Sequence, residues 1–65
     1  MQFTVPDMSC NHCVKAITSE INKLDANAKV EIDLTKKQVV VNNTALTESQ
    51  VISAINDAGF DNVNK

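Results

Sequence analysis

Hydrophobic residues along this chain recur with two different periods, and the order in which those periods alternate admits few folds. Residues 2–6 alternate polar and apolar, with Phe3 and Val5 on one face, as in a short strand that Pro6 ends. From about His12 the period lengthens. Val14, Ile17, Ile21 and Leu24 form one stripe of an amphipathic helix, with Lys15, Glu20 and Lys23 off that stripe, and the helix should end near residues 25–27. Val30, Ile32 and Leu34 then alternate with Lys29, Glu31 and Asp33, the clearest strand in the chain. Thr35-Lys36-Lys37 reads as a polar turn into a β-branched strand over residues 38–41, closed by Asn42-Asn43-Thr44. The pair should form a hairpin, although it lacks an Asn-Gly or Asp-Gly dipeptide.

A second helix has the sharper start. Thr47-Glu48-Ser49-Gln50 fits a capping box, with Leu46 and Val51 placed for a hydrophobic staple. Val51, Ile55 and Ala58 repeat at helical spacing and Ile52 widens the stripe. Gly59 stands where a left-handed residue ends a helix, and residues 60–63 are expected to supply a last strand. The order is βαββαβ, an α+β, ferredoxin-like sandwich. It predicts a four-stranded antiparallel sheet in the order 4-1-3-2 with both helices on one face. The loop after the first strand should then neighbour the Gly59-Phe60 turn.

Size and charge exclude several functions. Sixty-five residues sit near the lower limit for a self-sufficient core, leaving no room for a typical enzyme cleft. The chain is 43% hydrophobic and 22% charged, as expected of a soluble globular protein, and Phe3 and Phe60 are its only aromatics. A net charge of −2 argues against nucleic acid as a partner. No apolar run is long enough to insert into a membrane, and the first residues lack an export signal, so a cytoplasmic location with reduced thiols is expected.

Cys10 and Cys13 are the only cysteines, in the stretch Met8-Ser9-Cys10-Asn11-His12-Cys13 between the first strand and the first helix. Thiols at this spacing converge on one atom, as a dithiol redox couple or as a two-thiolate metal site. The N-terminal end of a helix, with Lys15 close by, favours a thiolate and serves both chemistries. Ligand number separates them in part. A structural zinc site needs four protein ligands, whereas two cysteines and one histidine suit a soft ion of low coordination, above all Cu(I). A thioredoxin-like redox protein would need a longer chain and a parallel βαβ context.

The same six residues match the Met-x-Cys-x-x-Cys motif, and the chain resembles the heavy-metal-associated domain family over essentially its whole length, including the closing Ala58-Gly59-Phe60. Its loop looks most like that of the bacterial cytosolic copper chaperones. The resemblance implies a single such domain over residues 1–65, no enzymatic activity, and Cu(I) held by Cys10 and Cys13 with Met8 as a hydrophobic tether beneath the loop. It also implies a partner, the N-terminal domain of a heavy-metal P-type ATPase, and a monomer or a copper-bridged dimer. An excised metal-binding domain of such an ATPase fits the motif too, Met1 and the end at Lys65 favouring a free-standing chaperone; a thiol–disulfide oxidoreductase is the reading from another class. Two positions depart from the family's pattern: Asp7 replaces a frequent glycine, and Phe60 a frequent tyrosine, histidine or lysine. Ser9 stands where zinc-binding relatives often carry an acidic residue, which favours copper. His12 is expected to face solvent, Phe60 to shield the site or pack in the core, and Lys36 and Lys37 to be solvated turn residues.

Overall fold

A computed structural model describes residues 1–64. The end of the chain at Lys65 lies outside the described residues. In order along the chain stand β1 (Gln2–Thr4), α1 (Asn11–Leu24), β2 (Lys29–Asp33), β3 (Gln38–Asn42) and α2 (Glu48–Asp57). The three strands form an antiparallel sheet in the order β1-β3-β2, with Thr4 opposite Gln38 and Val30 opposite Val41. Phe3 and Val5, Val39 and Val41, Ile17 and Ile21, and Val51, Ala54 and Ile55 close one aliphatic core that contains no buried polar side chain among the described residues.

The expected fourth strand is reduced to one bridge. Residues 60–63 adopt no strand; instead Thr4 and Asn64 exchange both backbone hydrogen bonds, at 2.6 and 2.8 Å. Asp61, Asn62 and Asn64 explain the shortfall, because short polar side chains that bond locally to the backbone are poor strand formers. The order of the three strands is that of a ferredoxin-like sheet, and the bridge lays the last segment beside β1.

Local chemistry sets each boundary. The β2–β3 turn works without glycine. Asp33 Oδ1 accepts from the N–H groups of Thr35 (2.9 Å) and Lys36 (3.2 Å), and Lys37 takes the left-handed conformation at φ 58°. Thr47 Oγ1 accepts from the Gln50 N–H while Gln50 Oε1 accepts from the Thr47 N–H, completing the capping box of α2. Beyond α2, Gly59 at φ 105° lets its own N–H reach the Asn56 carbonyl (2.9 Å) and the Phe60 N–H reach that of Ile55 (3.3 Å). This is the double bond pattern of a Schellman end, and it folds Phe60 back onto the core.

Two apolar positions depart from the expected stripes. Leu24 is 55% exposed, in a shallow hollow where α2 presents mainly polar side chains, Ser49, Gln50, Ser53 and Asp57, with Ala54 the one apolar residue beside it. Ala54, which the stripe of larger residues passes over, is buried where α2 packs on α1.

Candidate metal centre

The chain reaches the cysteines through a tight turn. Val5, Pro6, Asp7 and Met8 close on themselves as the Met8 N–H donates to the Val5 carbonyl at 3.1 Å. Met8 is fully buried, so the thioether anchors the loop from below while Ser9 and Cys10 emerge into solvent. A side chain packed so completely in the core anchors the loop, as the expected tether would.

Cys10 is the N-cap of α1, in an extended conformation (φ −151°, ψ 170°), and its carbonyl accepts from the Cys13 N–H at 3.1 Å and the Val14 N–H at 3.4 Å. Its side chain makes no capping bond and the first turn holds no acidic residue, so the positive end of the helix is left for the sulfurs. The two Sγ atoms lie 3.4 Å apart as free thiols. Two metal–sulfur bonds of about 2.3 Å span at most about 4.6 Å, so the sulfurs stand within reach of one shared ion but closer together than a linear two-coordinate geometry would hold them.

The cysteines differ in setting. Cys10 is exposed, whereas Cys13, a turn further on, is half-buried and packs against the core. The backbone at Ser9, then the Cys10 side chain, then the backbone at Cys10 hold the Cys13 thiol below its ordinary value, against the opposing effect of partial desolvation. His12 is exposed, and no group of three or more His, Cys, Asp or Glu side chains is gathered for a metal among the described residues.

Lys37 was expected in a solvated turn and stands elsewhere. Its Nζ donates to the Met8 carbonyl, and the side chain is partly buried. The antiparallel register explains this. Thr4 at the end of β1 faces Gln38 at the start of β3, so the hairpin tip falls beside the cysteine loop. Lys36, exposed, is the solvated member of the pair.

Residues 2–61 match the model of the heavy-metal-associated domain. The chain belongs to that family. Among relatives, copper chaperone CopZ of Staphylococcus haemolyticus is 39% identical over 61 residues, covering 91% of this chain and 90% of its own. Copper chaperone CopZ of Enterococcus hirae is 33% identical over 61 residues, with coverage of 91% and 88%. The structure of copper chaperone Atx1 from Synechocystis PCC6803, in its Cu2 form, superposes with a TM-score of 0.92 at 41% identity, over 98% of both chains. The family's fold and its two helices are therefore those found here. No helix among the described residues is long and apolar enough to cross a membrane.

Proposed function

We propose that this protein is a cytoplasmic copper metallochaperone, a carrier rather than an enzyme, in which Cys10 and Cys13 hold one Cu(I) ion. The observation that carries the reading is the pair of free sulfurs 3.4 Å apart on the exposed N-terminal end of α1. Two soft thiolates and no third gathered ligand suit a monovalent, low-coordinate ion. The copper chaperones to which the chain is similar along nearly all their length support the choice of metal.

Residues 1–65 act in this reading as one heavy-metal-associated unit that delivers copper to the N-terminal domain of a heavy-metal P-type ATPase. Delivery is a ligand exchange with no change of oxidation state. A partner cysteine gives up its proton and adds its sulfur to the ion, making a three-coordinate bridge. Exposed Cys10 is the sulfur free to swing away first, regaining a proton as it leaves. A second partner thiolate then replaces Cys13, which the loop holds longer because it packs on the core. Low coordination keeps each step associative, so tight binding and fast transfer coexist.

Competition for Cu(I) against a chromogenic chelator tests this. The reduced protein should take one ion per monomer, or per dimer, and Cys10→Ser and Cys13→Ser should each lower affinity by orders of magnitude. Unchanged competition in both variants would end the two-thiolate assignment. A wild-type protein that ignores Cu(I) yet catalyses thiol–disulfide exchange would establish the redox reading instead.

A further inference from the structure

We infer that Lys37 is a positioning residue of the metal loop: it clasps the turn that presents Cys10 and places a positive charge beneath the two sulfurs. The inference rests on the copper-binding reading above for its functional half, and on the two hydrogen bonds of Lys37, one from its backbone and one from its side chain, for its structural half.

Lys37 holds the turn at both ends. Its carbonyl accepts from the Val5 N–H at 2.8 Å, and its ammonium donates to the Met8 carbonyl. Between those two bonds lies the Val5-Pro6-Asp7-Met8 turn, closed by its own Met8-to-Val5 bond. One residue of the β2–β3 hairpin thus brackets the segment that delivers Cys10. The conformation of Lys37 makes the reach possible. At φ 58° the chain is left-handed, a state in which a non-glycine residue is uncommon and which its tertiary surroundings must sustain.

The position of the charge matters for the cargo. Two thiolates around a monovalent cation carry one net negative charge, and the Met8 carbonyl to which the ammonium is bonded lies two residues before Cys10. A fixed cation under the loop favours the loaded, anionic state and holds the backbone of Met8 against the departure of either sulfur. Charge-assisted bonds are the stronger class, and this one is shielded on one side by the protein. Neighbouring Lys36 has the same charge but is exposed, which makes it the natural control.

Lys37→Met removes the donor and the charge while keeping the length of the side chain and the φ-dependent strain. Amide hydrogen exchange of the metal-free protein reads the clasp directly. Lys37→Met should accelerate exchange over residues 8–13 while leaving α2 unchanged. It should also weaken Cu(I) affinity by on the order of tenfold at low salt, the effect of losing one partly exposed charge-assisted bond, and by less at high salt. Lys37→Arg should restore both readouts, and Lys36→Met should move neither. The inference is overturned if Lys37→Met matches wild type in loop exchange and affinity, if Lys36→Met has an equal effect, or if exchange rises uniformly across the fold. A wild-type protein that fails to bind Cu(I) would instead remove the copper reading and leave the exchange comparison as the judge of the clasp.

Discussion

Met8 and Phe60 divide between them the ways an apolar side chain can serve an exposed site. The Met8 thioether is chemically able to touch a soft ion, but its complete burial assigns it to packing. Met8→Ala should therefore cost about 2–5 kcal/mol in chemical denaturation, while copper stoichiometry stays as in wild type. Loss of stoichiometry with stability intact would make it a ligand. Phe60 is half-buried and folded back on the core by the Gly59 end of α2. The last segment runs antiparallel to β1 from the Thr4–Asn64 bridge, so Phe60 lies toward the loop end of that strand. In the copper-binding reading, a ring so placed would shield the sulfurs from water. Phe60→Ala is expected to speed copper loss to a chelator, at a stability cost below the ~3–5 kcal/mol of a fully buried phenylalanine. A large stability loss with unchanged release would leave Phe60 as core alone. At this scale the cysteine pair was legible from its spacing, and the burial of Met8 from the likeness to the heavy-metal-associated family. Lys37 was not, since a lysine in a polar turn looks solvated until the register of β1 on β3 shows what lies beside it.

The elements are tied to one another by side chains that cap or span. At the end of α1 opposite the cysteines, Asp25 Oδ2 accepts from the Thr44 hydroxyl at 2.7 Å and from the Ala45 N–H at 3.4 Å, while Oδ1 accepts from the Asn27 N–H at 3.0 Å. One carboxylate so joins the end of α1 to the connection between β3 and α2. The Thr44 hydroxyl first, then the Asn27 and Ala45 backbones, lower the Asp25 pKa from its ordinary 3.8. A lowered folded-state pKa means stability that is fully present above the unfolded value and is lost as pH falls through the lower folded one. Asp25→Asn should therefore be less stable than wild type at neutral pH. The gap between their urea midpoints should narrow progressively as pH falls below the ordinary carboxylate value. A gap that stays constant with pH would show that the carboxylate's charge plays no part. Capping boxes and Asx-type links of this kind explain why α2 was legible to the residue. Thr47 and Gln50 stand three residues apart in sequence, whereas Thr44 and Ala45, two of the partners of Asp25, lie across the fold.

Over the whole molecule, local patterns sufficed to order the elements: a two-residue repeat in β1 and β2, a β-branched run in β3, and a three-to-four-residue repeat in each helix. They failed at the C-terminal edge for a physical reason. Phe60 and Val63 have the spacing to begin a strand, but Asp61, Asn62 and Asn64 lack the packing that holds a ladder together, and what forms is one bridge. The sheet is thus unevenly secured. β3 is paired on both sides and contributes the buried Val39 and Val41, whereas Asn64 is exposed and held only through Thr4. Backbone groups with so few buried neighbours open locally, without unfolding of the rest. In hydrogen exchange at low denaturant, the amides of Val39 and Val41 should exchange only through global unfolding, with opening free energies that fall as denaturant rises. The Asn64 amide should exchange far faster and with almost no denaturant dependence, because its opening exposes little surface. Equal protection at Asn64 and Val39 would mean that the last segment is an integral fourth strand in solution. The edge beside the cysteine loop would then be rigid where a single bridge leaves it free to open.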